Sequence, residues 1–343
     1  RRGDRLRTLI GHHFTESGKG TMAQRARWVI KIGSALLTAN GQGLATDALD
    51  HWVEQIAFLK QRGDDVVLVS SGAVAEGVTR LGWKTRPQAL DKLQAAAAVG
   101  QAGLIQAYET RFQQFQISTA QILLVHEDLS SRNRYLNSRR TLQTLLEVGV
   151  IPIVNENDTV ATEEIRFGDN DTLAGLVANL IDANILLILT DQDGLYDDDP
   201  RSNKAAKLIS HCDVHDTSLD AAAKSTGGAL GRGGMMTKIK AARLAARSSA
   251  ETIIANGSSA NIIKDLANGH AIGTRLSNTR KAITARKQWL AGSLIVNGKL
   301  VLDQGAVKML AKSGSSLLPI GVTSATGHFK RGDLVSCTDN DGN

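Results

Sequence analysis

The chain has 343 residues, 42% hydrophobic and 22% charged, a length that exceeds one ordinary core and leads to an expectation of two domains. Its net charge of +6 is unevenly placed: residues 1–27 hold seven Lys/Arg against two Asp/Glu, residues 277–343 hold nine against four, and the stretch between holds 24 against 28. The body is therefore mildly acidic, aromatic residues at 4% supply little for a surface that stacks bases, two distant cysteines (Cys212 and Cys337) form no disulfide framework and fit a reducing cytoplasm, and no apolar run approaches the roughly 18–20 residues a membrane helix needs.

Residues 1–21, RRGDRLRTLIGHHFTESGKGT, lack a segment apolar enough for a secretory signal and read as a disordered extension, with Met22 the candidate natural start. The first buried strand is expected at 28–32 and ends in Gly33-Ser34. A helix follows at 49–61, then a second strand at 66–69 running into Ser70-Ser71-Gly72-Ala73. An Ala-rich helix is expected at about 92–115, a strand at 122–125, a helix at 137–147 and a fourth strand at 150–154. Then come a helix at 172–183, a strand at 185–189 ending in Thr190-Asp191, a helix at 235–247 and a strand at 252–255. Continuous apolar strands alternating with helices predict an α/β fold, a parallel-rich sheet sandwiched by helices. The strand ends read GS, SSGA, NEND, TDQDG and NGS, all small or polar, as a ligand rim at the carboxyl edge of such a sheet requires. From about 277 the helical runs shrink to one at 304–312, with strand-like pieces at 293–296 and 334–337 between glycine turns. The division expected is an extension at 1–21, one domain at 22–276, a linker at 277–285, and a small, mostly β domain at 286–343 that stops inside a turn-like DNDG and so reads as truncated.

Four motifs carry candidate chemistry. Lys31, at the end of the first strand beside Gly33, suits an anion ligand as well as a lysine that reaches out to solvent. The run GGALGRGGMMTK opens a helix with exposed backbone N–H groups, and Lys238 in its first turn opposes the helix dipole unless an anion sits there. TDQDGLY after the fifth strand reads equally as a capped turn or a nucleotide contact. NENDTVATEEIRFGDND, residues 155–171, places six carboxylates, three amides and one base directly after a buried strand. Amides and carboxylates together can hold both an ammonium and a carboxylate, and spare carboxylates can hold Mg²⁺ through water. HCDVH at 211–215 lacks a second Cys/His pair and reads as a surface segment rather than a metal site.

Taken together, KIGSALLT, VLVSSGAVAEG, AAVGQAGLIQAYE, IPIVNENDTVA, FGDNDTLAG, LLILTDQDGLYDDDPR and GGMMTK resemble the glutamate 5-kinase family of the amino acid kinase superfamily, from about residue 28 to the end. RKQWLAG, DQGAVKML and SSLLPIGVTSATGHFKRGD look like the PUA domain often appended to it. The resemblance implies transfer of a phosphoryl group from ATP to the γ-carboxylate of L-glutamate, with Mg²⁺, as the first step of proline synthesis and under inhibition by proline. By the same resemblance Lys31 and Lys238 neutralise the transferring group and Asp171 orients them. Ser71, Asp158 and Asn170 bind glutamate, with Gly72 and Asn155 adjacent. Lys31, Thr190 and Asp191 contact ATP, as do Arg232, Gly233, Gly234, Met235, Met236, Thr237 and Lys238. Two positions depart from the family pattern: Arg232 stands where a Thr is usual, and Ala35 where a Ser is usual. A cytoplasmic dimer or tetramer is implied, and RNA is a further candidate partner of the PUA-like end. The alternatives are another kinase of the superfamily, acting on acetylglutamate, aspartate, carbamate or uridylate, or a protein acting chiefly as an RNA-binding module through its basic tail.

Overall fold

Six runs of Val, Ile and Leu make the centre of the molecule: β1 (Arg27–Ile32), β2 (Asp65–Ser70), β3 (Thr119–Leu124), β4 (Ile151–Glu156), β5 (Ile185–Thr190) and β7 (Glu251–Asn256). The computed structural model describes residues 25–38, 43–161, 169–225, 234–278, 296–313, 316–329, 334–339 and 342. These six strands pair in parallel in the order β3-β4-β2-β1-β5-β7. The sheet is completed by β8 (Thr274–Ser277), antiparallel to β7, and by β6 (His211–Asp213), parallel to β8 at the outer edge. HCDVH, expected as a surface segment, thus contributes an edge strand that sequence reading did not foresee.

The expected helices form, with bounds shifted by a few residues: α2 (Thr46–Gln61), α4 (Leu90–Gln113), α6 (Arg132–Glu147), α7 (Asn170–Leu180) and α9 (Met235–Ala246). Short helices join them: α1 (Ser34–Leu37), α3 (Ala73–Arg80), α5 (His126–Ser130), α8 (Ser218–Ser225) and α10 (Ile262–Ala267). They cover both faces. One core packs α6, α7, α8 and α9 against Val29, Val67, Val69, Leu186 and Ile188; the other packs α2, α4 and α10 against Trp28, Ile30, Ile32, Leu68 and Leu187. The two-residue period of β1 follows directly, and it turns Lys31, in step with Val29, toward the face carrying α7 and α9.

Two close helix crossings matter to the rim. A Cβ on Gly100 of α4 would stand 1.8 Å from the Ala73 carbonyl oxygen, and one on Gly77 of α3 1.7 Å from that of Ala96. Glycine is therefore required at both points for α3 and α4 to meet backbone to backbone. A Cβ on Gly175 of α7 would come within 2.6 Å of the Ala241 carbonyl, so α7 and α9 also approach closely.

The C-terminal unit holds a three-stranded sheet in the order β10-β9-β11, from β9 (Val296–Leu302), β10 (Val322–Gly327) and β11 (Leu334–Thr338). A helix at Gln304–Ser313 and a 3₁₀ turn at Pro319–Gly321 connect β9 to β10. Among the described residues no helix is long and apolar enough to cross a membrane.

Gly100→Ala should lower the free energy of unfolding by about 3 kcal/mol, the upper end of the overpacking range, because the added methyl meets backbone rather than a side chain that can turn away. Urea unfolding followed by circular dichroism measures this, and an unchanged midpoint would contradict the α3–α4 crossing.

Candidate active site

The carboxyl ends of β1, β2, β4, β5 and β7 all lie on one rim, because these strands are parallel. Lys31 is the penultimate residue of β1, and Gly33 just beyond it donates its N–H to the Leu189 carbonyl at 3.2 Å, tying the ends of β1 and β5 together. On the same face α7 begins at Asp169, which caps it by accepting the Thr172 N–H at 2.7 Å. This cap fixes the first turn, where Asn170 and Asp171 point to different sides of the rim.

Asp171 is fully buried. Lys31 Nζ lies 2.6 Å from its Oδ1 and Lys238 Nζ 3.2 Å from its Oδ2, and both lysines are buried too. The Thr237 hydroxyl lies 2.7 Å from the same Oδ2 and 2.7 Å from the Gly234 carbonyl oxygen. Burial by itself would raise the Asp171 pKa, but the two ammonium groups outweigh it and hold the carboxyl below its ordinary value. Burial lowers the Lys238 pKa, and the charge of Lys31 lowers it further, against the pull of Asp171. Two cations thus share the Asp171 carboxylate in a place that water hardly reaches. Asp169 is nearby; its pKa is raised, first by burial and then by the neighbouring Asp171 charge.

Asn170 serves the other side. Its Nδ2 lies 2.8 Å from the Ser70 carbonyl oxygen, 3.0 Å from Ser71 Oγ and 3.0 Å from Asn155 Oδ1. Asn155 is buried at the end of β4 and donates from Nδ2 to Gln101 Oε1 at 2.8 Å. Gly72 follows Ser71 with a φ of 98°, a left-handed backbone that glycine adopts freely, and so turns the chain from β2 into α3. Asp158 is half-buried in the turn after β4. Ser71, Gly72, Asn155 and Asn170 therefore meet in one patch, joined to the lysine cluster through the first turn of α7.

Thr190 and Asp191 stand at the end of β5, where the Thr190 hydroxyl donates to Asp191 Oδ1 at 3.1 Å. Gly234, Met235 and Met236 open α9 with no side-chain cap on its first N–H groups. Arg232 and Gly233 lie outside the described residues, as does the segment 162–168 of the acidic stretch. Sequence reading passed over three residues of the site: Asp169 as the cap of α7, Thr237 as a partner of Asp171, and Gln101. The last had a signal, since a Gln stands in the buried stripe Leu93, Ala97, Leu104, Tyr108 of an otherwise apolar helix face.

A basic pair held on one carboxylate thus lies at the rim of the parallel sheet, beside an amide-rich patch, in a protein of the α/β class. The model of the amino acid kinase family matches residues 26–256, and that of the PUA domain matches residues 298–343. The chain belongs to the amino acid kinase family. Within it, the chain is 56% identical to the Glutamate 5-kinase of Hahella chejuensis over 98% of this chain and 88% of that one. It is 60% identical to the Glutamate 5-kinase of Nitrosococcus oceani over 92% and 84%. These identities set it on the glutamate 5-kinase branch of that family. In fold it is similar to the isopentenyl phosphate kinase of T. acidophilum, with a TM-score of 0.50 at 18% identity over 73% of this chain and 100% of that one.

Asp171→Asn should remove the carboxylate that both buried lysines contact and lower stability by about 3–5 kcal/mol at pH 7. Because the folded pKa of Asp171 is depressed, its contribution is complete above the unfolded carboxyl value of about 3.9 and is lost as pH falls through the folded one. The stability gap between the two proteins should therefore hold from pH 8 to pH 5 and close below about pH 4; denaturant titrations across that range test it.

Proposed function

We propose that the chain is a glutamate kinase, transferring the γ-phosphoryl group of ATP to the γ-carboxylate of L-glutamate as the entry step of proline synthesis. The observation that carries this reading is the buried pair Lys31 and Lys238 on Asp171, next to the Ser71–Asn155–Asn170 patch. The relatives named Glutamate 5-kinase support the choice of acceptor.

The chemistry asks little of a general base. A γ-carboxylate is already ionised at neutral pH. The barrier lies in bringing an anion against a polyanion and in spreading charge over the phosphoryl oxygens in transit. Lys31 and Lys238 supply the positive charge at that point, and Asp171 and Thr237 hold them in place. Ser71, Gly72, Asn155, Asp158 and Asn170 grip the amino acid, with Asp158 taking its ammonium group. Thr190, Asp191 and the start of α9, including Arg232 to Lys238, receive ATP. Mg²⁺ enters with ATP as part of the co-substrate, where it shields the phosphate charge. The described residues contain no group of three or more His, Cys, Asp or Glu placed to cage it, and both Asp171 oxygens are already engaged.

Around this core the reading extends to a cytoplasmic homo-oligomer inhibited by proline at a site overlapping that of glutamate. It includes a kinase unit at 22–276, a linker at 277–285 and a PUA-like unit at 286–343 able to hold RNA. Retention on RNA that is lost with residues 277–343, and that falls steeply with salt, is the expected behaviour of the last.

Formation of glutamyl hydroxamate from glutamate, ATP and hydroxylamine tests the activity. No hydroxamate, with turnover instead on acetylglutamate, aspartate, carbamate or uridylate, would replace the acceptor. Lys238→Ala should lower kcat by about 100- to 1,000-fold, the scale of losing one preorganised electrostatic group, and near-normal turnover would remove it from the mechanism. Asp158→Ala should act chiefly on the KM for glutamate while leaving that for ATP in place; steady-state kinetics with each substrate varied separates the two.

A further inference from the structure

Gln101 lies in the AAVGQAGLIQAYE motif, to which the assignments above give no role, and the residue is 8% exposed with its Nε2 buried. The amide chain it joins has a fixed polarity, set by backbone groups. The Glu156 N–H donates to Asn155 at 2.9 Å, so the accepting atom is Oδ1 and the Asn155 Nδ2 must face the other way, toward Gln101. The Ser70 carbonyl can only accept, so Asn170 presents Nδ2 to it, and the same group also reaches Asn155 Oδ1. Gln101 must then offer Oε1 to Asn155, which turns its Nε2 away. That N–H₂ group is buried and has no acceptor among the described residues.

A buried donor left unpaired is unfavourable and rare, and here it stands at the inner end of a chain of amides that leads to Ser71. Its position is tightly set. Gly100, the preceding residue, abuts the Ala73 carbonyl at the start of α3, directly after the Ser71-Gly72 turn.

We propose that Gln101 is a further specificity-determining residue, whose Nε2 donates to a carboxylate oxygen of the amino-acid substrate. The proposal rests on the glutamate kinase reading above and extends it to an atom. The acceptor lacking among the described residues arrives with the substrate. The same contact discriminates against amino acids without a carboxylate within its reach.

Gln101→Glu tests the donor directly. It keeps the length of the side chain and an oxygen facing Asn155, and replaces the N–H₂ by a second acceptor. The KM for glutamate should rise about 30-fold or more at pH 8, as for loss of a hydrogen bond to a charged group, while the KM for ATP stays within about threefold. The rise should shrink toward pH 6, where the introduced carboxyl gains a proton it can donate. Gln101→Asn keeps the amide in a smaller side chain and withdraws it by one methylene, so it serves if a buried Glu unfolds the protein; its glutamate KM should rise about tenfold with kcat within about threefold. A glutamate KM within about threefold of the unsubstituted chain in the folded variants overturns the proposal, and so does an equal loss on both substrates, which a purely structural role would produce. If the unsubstituted chain itself releases no ADP with glutamate, the parent reading fails and this inference falls with it; an active parent with unaffected variants fails the inference alone.

Discussion

The carboxylate of Asp171 between two ammonium groups is the interaction on which the rest of the site depends. All three groups are buried, and none would be tolerated there alone. Together they need β1 to end at the rim, α7 to begin beside it, and α9 to cross α7 closely enough for its first turn to reach the same carboxylate. The strand pairing supplies the first, the Asp169 cap the second, and the bare face of Gly175 against Ala241 the third. What results is a pair of ammonium groups fixed in place by the fold itself.

The first turn of α7 also joins the two halves of the site. Adjacent residues on a helix project about 100° apart, so Asn170 and Asp171 serve different sides from consecutive positions. One orders the amide patch on the β2 and β4 ends; the other orders the lysines on β1 and α9. A shift of this turn would disturb both at once. The stretch NENDTVATEEIRFGDND supplies both sides from its two ends: Asn155 at one, Asn170 and Asp171 at the other.

Much of this was legible in the sequence. Buried parallel strands announce themselves as unbroken apolar runs, and the five polar strand ends that were taken for a rim do share one edge. The resemblance of the motifs to the amino acid kinase family is matched by the family model and by relatives over most of the chain. Spacing could not reveal that Lys31 and Lys238 meet on one carboxylate, because their meeting is a product of strand order and of a helix crossing made by a glycine. The edge strands β6 and β8 went unseen because they are short and mixed in polarity, with only Leu276 of β8 marked as core. Gln101 escaped for a different reason. Helical periodicity places it on the buried stripe, but only the direction of hydrogen bonds donated by neighbours shows which of its two polar atoms is left over.

The α3–α4 crossing has a consequence for how this pocket can diversify. Where two backbones touch through paired glycines, the wall behind the Ser71-Gly72 turn has no slack. A contact made by side chains can be eased or tightened one methyl at a time, but one made by main chain cannot. At this crossing a substitution that adds volume therefore meets main chain on both sides, so the turn from β2 into α3 keeps its position while the rim in front of it is free to vary.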